Sequence, residues 1–591
     1  MKRYVESVRE GKLARRDFIK MLVACGLTVP VAGHILANAG IAMAASQSSY
    51  LPTKRGGGGT LKLLWWQGPT LLNPHHALGT KDQDGARLFY EPLAAWDPEG
   101  NLVPFLAAEI PSVENGSVDK DGKFVIWKLK QGVKWHDGQS FTADDCVFNW
   151  QYASNPDVAA MTSGAYAGLK VSKIDDHTIR IDFDNPTPFW ADAFVGTRGM
   201  LIPKHHYEKY NGANAGEAPA NLSPVGTGPY IFEFFSPGDV VKGRLNPDYH
   251  EDNRPYFDAV EMKGGGDAVS AARAVLQAGE YDFAWNVQVE DALLKRLEAG
   301  GKGTSEIVPS GDVEIIQLNM TDPTKQVDGE RSSIEAPHPF LSDLNVRKAI
   351  NLLVDRDALE KHIYGRSGPV AKNMLNNLPR FESQNTMHEF SIEKAIALLE
   401  EAGWKIGADG IRKKDGVKLK LVFQTSTNAP RQKTQAIIKQ AFQKAGIETE
   451  LKSIAGSVFF SSDVGNPDTY GKFYADMQMY TTTMPQPDPK DIMLQFLSNE
   501  VSSKTNKWQG RNICRWRNEE YDKLYAQSQS EIDPIKRANM FIRMNDLVVN
   551  DVVIIPLVCR NKVASVINGL YAPLSGWDSN LWILKDWYRT S

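Results

Sequence analysis

Cysteine is scarce. The 591 residues hold four, and one of them, Cys25, falls in an N-terminal stretch that reads as a removable leader. Cys146, Cys514 and Cys559 remain. An odd number allows one bridge at most, so a disulfide framework is excluded. Cys514–Cys559 is the pairing expected if one forms.

Excess positive charge is missing as well. The net charge is −4, and without residues 1–45 the chain keeps 60 Lys/Arg against 68 Asp/Glu. An electrostatic nucleic-acid binder needs a basic face, so that class is excluded. No Cys/His cluster has zinc spacing, and no H-E-x-x-H occurs. His75-His76 and His205-His206 are adjacent pairs, and chain neighbours rarely hold one ion together. They read as solvated or capping groups, and no metal or cofactor is expected. The G-x-S-x-G elbow of serine hydrolases is absent. Gly56–Gly59 lacks the Lys-Ser/Thr of a phosphate loop, and Gly264-Gly265-Gly266 lacks the dinucleotide fingerprint.

The length exceeds what one hydrophobic core serves, so two or three lobes are expected. Hydrophobic residues at 42% and charged residues at 23% give an ordinary globular balance. Ala14-Arg15-Arg16-Asp17-Phe18-Ile19-Lys20 is a twin-arginine export motif. The apolar run that follows contains Gly, Pro, His and Asn, which makes it a poor membrane span. Ala42-Met43-Ala44 is an A-x-A cleavage site, and Leu22-Val23-Ala24-Cys25 also spells a lipobox. Residues 1–45 are therefore read as a signal peptide and 46–59 as a flexible lead-in.

From Asp121 to Trp150 the chain runs DGKFVIWKLKQGVKWHDGQSFTADDCVFNW. Val125, Trp127 and Leu129 alternate with Lys128 and Lys130, the period of a half-buried strand. Asp137-Gly138 is a turn dipeptide. Thr142 with Asp145 forms a variant capping box, which predicts a helix carrying Val147 and Trp150 inward. Later, a strand at Leu419–Phe423, a helix at Pro430–Ala445 closed by Gly446 and a strand at Ile447–Leu451 make a βαβ unit, so those strands are expected to be parallel.

The run Leu-Lys-x-Gly-Val-Lys-Trp-His-Asp-Gly with Phe-Thr-Ala-Asp-Asp resembles the signature of the family-5 extracellular solute-binding proteins, the dipeptide-, oligopeptide- and nickel-binding receptors of ABC importers. Further blocks follow in family order: Leu88–Leu93, Gly100–Glu109, Val225–Tyr230, Val354–Asp357, Arg515–Leu524 and Val553–Val558. The resemblance covers about residue 58 to the end. It implies an α/β fold of the type II periplasmic-binding-protein kind, with two lobes joined by two crossing strands and a small extra subdomain. The expected division is 60–311 and 556–591 for lobe I, with its subdomain at about 88–196, and 312–555 for lobe II. The function implied is capture of a peptide-like solute between the lobes by a monomer in the Gram-negative periplasm. Delivery is to an inner-membrane permease and its ATPase subunits, after export by the twin-arginine translocase. Opines, plant conjugates or oligosaccharides are the alternative ligands. An exported enzyme is the competing class, because the twin-arginine route often carries cofactor-loaded oxidoreductases.

The same resemblance implies a cleft containing Asp82 and Asp84 on the first-strand loop and Phe148 on the signature helix. Glu314 and Gln317 follow on the first crossing strand. Tyr480, Thr481, Thr482, Thr483, Met484 and Gln486 form the cleft loop, and Arg560 comes after the second crossing. Peptide receptors of the family place an aspartate four residues before the Pro of an acidic-Pro pair, to hold the peptide α-ammonium. Here the pair is Asp488-Pro489 and the anchor position is Pro485, which offers no charge. Either Asp488 or another acid replaces it, or the ligand does not present its N-terminus there.

Overall fold

A computed structural model describes residues 50–77, 79–461 and 465–590. The export motif with Arg15 and Arg16, the cleavage site and Cys25 lie outside these residues.

Two sheets carry the molecule. The first has seven strands in the order Gly303–Val308, Lys562–Ile567, Phe283–Ala284, Thr60–Trp65, Ala259–Gly264, Val240–Leu245 and Tyr230–Ser236. Thr60–Trp65 is parallel to both of its neighbours. The second has five strands in the order Glu448–Ile454, Lys420–Ser426, Met477–Thr482, Val313–Leu318 and Ile554–Cys559. Its first two are the expected parallel pair, joined through the helix Ala429–Lys444. Each sheet organises one lobe of an α/β fold.

The chain crosses between the sheets twice. After Val308 it enters the second sheet at Val313, and after Cys559 it returns to the first at Lys562. The return thus falls at Arg560-Asn561, later than the boundary expected at 556. The whole of Ile554–Cys559 pairs with Val313–Leu318 at the edge of the five-stranded sheet. An edge is where a strand containing Pro556 belongs, since proline cannot donate to a ladder on both sides.

The small subdomain is a three-stranded antiparallel sheet of Phe124–Lys128, Thr178–Phe183 and Leu169–Asp175, in that order. Its helix, Ala143–Ser154, starts at the expected capping box of Thr142 and Asp145. The inward face differs from the expectation. Cys146, Phe148, Asn149 and Tyr152 are buried, whereas Val147 and Trp150 are half-buried at its flank.

The lead-in is pinned from Arg55 onward. The Gly56 and Gly58 amides donate to the carbonyls of Pro255 and Tyr256, and those of Gly57 and Gly59 donate to the Asp258 carboxylate. A side chain at Gly58 would sit 2.5 Å from the Tyr256 ring. The glycines therefore serve close approach here rather than freedom.

Cys514 and Cys559 are not bridged, and the three described cysteines are free and buried. Met320 N donates to the Cys514 carbonyl, while Cys559 pairs with Val313. The two cysteines therefore meet the 313–320 stretch at backbone positions seven residues apart, roughly 20 Å at ~3.3 Å per residue. A disulfide needs Cα atoms within about 7 Å.

Candidate functional site

Between the sheets lies a cavity of about 890 Å³. Its first wall is made where strands of the seven-stranded sheet end: Trp66 and Gln67 after Thr60–Trp65, and Trp285 and Asn286 after Phe283–Ala284. Its second wall is Ser426-Thr427-Asn428, the turn from strand Lys420–Ser426 into the following helix, with Arg431 one turn further on. Carboxyl ends of parallel strands are where open α/β sheets leave a crevice, because the connections there diverge. Asp312, Arg560, Asn561 and Lys562, the crossing segments themselves, close the back. A second chamber of about 480 Å³ continues past Phe460 and Thr481, which line both, toward Tyr470, Lys472, Trp508 and Arg511.

Trp66 and Trp285 stack with ring centroids 5.9 Å apart and form an apolar platform on the first wall. Trp65, its neighbour, points into the core and donates Nε1 to Asp84. Alternation along a strand puts successive side chains on opposite faces, so one tryptophan serves the fold and the next serves the cavity.

The second wall is organised by a buried ionic knot. Glu314 is fully buried, on the face of strand Val313–Leu318 that the helix Ala429–Lys444 covers. Arg431 Nε donates to it at 2.6 Å and Arg560 Nη1 at 2.8 Å. The Thr481 hydroxyl, on the paired strand, donates to the same carboxylate. Burial opposes the charge of Glu314, yet the two guanidiniums outweigh it and hold the carboxyl below its usual range. One carboxylate against two guanidiniums leaves the knot with net positive charge facing the cavity. Asp312 sits nearby, pushed up to about 6 by burial despite Lys562 and Arg560. Burial lowers Lys562, which Asp312, Asp84 and Asp578 partly offset.

The expected site residues divide into two groups. Thr481 and Arg560 line the larger chamber, and Tyr480, Thr481, Thr482 and Thr483 the smaller. Glu314 lies directly behind Arg431 and Arg560, and Gln317 behind Tyr480, whose hydroxyl donates to it at 3.0 Å.

The others are placed elsewhere, for identifiable reasons. Phe148 is buried in the small subdomain against Tyr152. Asp82 is buried and accepts from Thr70 N, the Thr70 hydroxyl and Lys81. Asp84 accepts from Ser579, Asn580 and Trp65, tying the C-terminal segment to the first strand. Past Thr483 the chain leaves the cavity. Met484 packs under Gly311 and Trp577. Gln486 donates to Asp192 of the other lobe, and Asp488 is locked in a buried pair with Arg537. Asp488 therefore does not stand in for the acid missing at Pro485.

Sequence reasoning missed Asn428, Arg431, Phe460, Lys472 and Lys562. For Asn428 and Arg431 a signal existed, because they open the helix of a predicted βαβ unit, where binding residues collect. Phe460 and Lys472 sit on a long connection with no periodicity to place them.

The histidines also differ from expectation. His75 is fully buried between Thr162 and Asn149 and is lowered to about 4 by burial, hence neutral. His205 and His206 converge on Asp137 of the signature turn, at 2.6 and 2.9 Å. Their three ligating atoms come together on the surface, away from both chambers.

No helix among the described residues is long and apolar enough to cross a membrane. The chain is 28% identical over 475 residues to the oligopeptide-binding protein AppA of Bacillus subtilis, covering 79% of each. It is 24% identical over 519 residues to the glutathione-binding protein GsiB of Shigella boydii, covering 88% of this chain and 90% of that one. The solved structure of Bacillus subtilis AppA in complex with a nonapeptide superposes with a TM-score of 0.72, at 24% identity. It spans 92% of this chain and all of the other. The model of the bacterial extracellular solute-binding proteins, family 5 Middle, matches residues 101–504. With that match spanning most of the chain, and with two sheets facing one crevice, the protein belongs to the bacterial extracellular solute-binding proteins of family 5.

Proposed function

We propose that this chain is the periplasmic receptor of an ABC importer. It captures a peptide-like solute between its lobes and delivers it to an inner-membrane permease coupled to ATPase subunits. The observation that carries the reading is the cavity of about 890 Å³ bounded by strand ends of both sheets and closed by both crossings. Sites of this size and mixed polarity suit a small ligand engulfed from two sides. Relatives named for oligopeptides and glutathione support a peptide-like ligand.

The reading expects nanomolar-to-micromolar binding without turnover. Calorimetry of the purified protein against a peptide and metabolite library tests it. Recovery of the bound compound cleaved or oxidised counts against a receptor. Native mass spectrometry of protein from its own periplasm identifies what travels with it. The protein acts as a monomer in this reading, which size-exclusion chromatography with light scattering checks. Export runs through the twin-arginine route. Replacing Arg15 and Arg16 together by Lys is expected to leave the precursor in the cytoplasm.

A further inference from the structure

The lining of the cleft is more basic than the protein as a whole. The chain beyond residue 45 carries an excess of acids. The larger chamber is lined by Lys81, Arg431, Arg560 and Lys562 and by one acid, Asp312, with Asp82 paired to Lys81 and Glu314 to the two arginines behind its surface. The smaller chamber is lined by Lys472, Lys507 and Arg511, and no acid is among its described lining residues. Basic groups concentrated in a cleft with low-dielectric walls focus a field that attracts anions.

Two details show that part of this charge is unspent. Arg560 is nine-tenths buried and lines the larger chamber. Its Nη1 holds Glu314, and its Nη2 enters no hydrogen bond among the described residues. A guanidinium nitrogen that no protein acceptor uses is free to donate to a ligand oxygen. In the smaller chamber, Lys507 and Arg511 are exposed, and neither enters an ion pair among the described residues.

The acid side is equally informative. Pro485 offers no partner for an ammonium, and Asp488 is consumed by Arg537. Asp312, the one acid among the described lining residues of the two chambers, is already attended by Lys562 and Arg560. A free α-ammonium therefore has no dedicated acceptor, whereas anionic groups have acceptors in both chambers. The Trp66–Trp285 platform and Phe460 leave room for the apolar frame between them.

We infer that the cleft selects a peptide-like solute that carries at least two carboxylates and needs no free α-ammonium, one carboxylate meeting Arg560 and Arg431 and another meeting Lys507 and Arg511. This rests on the receptor reading above and narrows its ligand class.

The test is calorimetry with three tripeptides of equal length: N-acetyl-triglutamate, trialanine and trilysine. N-acetyl-triglutamate is expected to bind at least about tenfold more tightly than trialanine, to weaken as salt rises, and trilysine to give no binding. The double variant Lys507→Gln, Arg511→Gln, at two exposed positions, is expected to lose about tenfold for N-acetyl-triglutamate. If trialanine or trilysine binds as tightly as the acidic probe, or if the double variant is silent, the inference falls and the peptide-receptor reading stands. If none of the three binds and a non-peptide solute travels with the native protein, both fall.

Discussion

Replacing Glu314 by Gln should separate stability from affinity in opposite directions. The carboxylate is fully buried and neutralises Arg431 at 2.6 Å and Arg560 at 2.8 Å. Gln keeps the shape but removes the charge, leaving two buried guanidiniums uncompensated. Breaking such a pair costs about 3–5 kcal/mol, and the low end applies because both arginines border a cavity that water enters. At roughly 2–4 °C per kcal/mol for a unit of lobe size, the apparent Tm should fall by about 6–12 °C. Removing the same charge strengthens the field on an anion at the cavity wall. A unit charge about 8 Å away, one guanidinium beyond the ligand, contributes ~0.5 kcal/mol even in bulk water, so N-acetyl-triglutamate should bind at least about twofold more tightly. Differential scanning fluorimetry and calorimetry on the same preparation read both quantities. An unchanged Tm would refute the claim that Glu314 neutralises the two arginines. A fall in Tm with weaker binding of the anion would refute the claim that their positive charge faces the ligand.

Asp312 should make binding pH-dependent. Its carboxyl is pushed up to about 6 by burial, so it is neutral near pH 5 and charged near pH 7.5. A folded-state pKa above the unfolded value means that ionisation costs stability, and that cost appears as pH rises through about 6. The same ionisation adds a negative charge among cations, so the acidic probe should bind more weakly at the higher pH. No histidine lines either chamber among the described residues, and Asp312→Asn should flatten the profile. Trp66→Ala removes one face of the aromatic platform. It should weaken binding by about 2- to 12-fold, the span of ~0.5–1.5 kcal/mol for a stacking contact, and reduce the ligand-induced change in tryptophan fluorescence. Burial pushes the Cys514 thiol up to about 11 and the Cys559 thiol up to about 12. A thiol reagent should therefore react with none of the three described cysteines in the folded protein and with all of them in guanidinium, and a reductant should leave Tm unchanged.

Part of the cleft was legible only through the family resemblance. The resemblance put Thr481 and Arg560 at the cleft, and both line the larger chamber. Phe148 shows the limit of that reasoning. Each helix position turns by about 100°, so a helix that buries Cys146, Phe148, Asn149 and Tyr152 leaves Val147 and Trp150 at its flank, and Phe148 packs inside the subdomain instead of reaching the cleft. Asp84 and Asp488 show another limit. An acid in the right segment can be spent on a buried partner, and the partners, Ser579, Asn580 and Arg537, lie far along the chain.

By itself the sequence determined the period of the strand around residues 125–129, the capping box at Thr142 and the parallel unit around Ala429–Lys444. Those properties depend on side chains a few residues apart, where the chain's own geometry sets the contact. Tertiary structure alone decided the sign of the cleft. Lys81, Arg431, Lys472, Arg511 and Lys562 come from five separate segments, and a chain with an acidic balance gives no hint that they converge. Charge at a cavity wall is a sum over distance in space, and only folding converts separation along the chain into that distance.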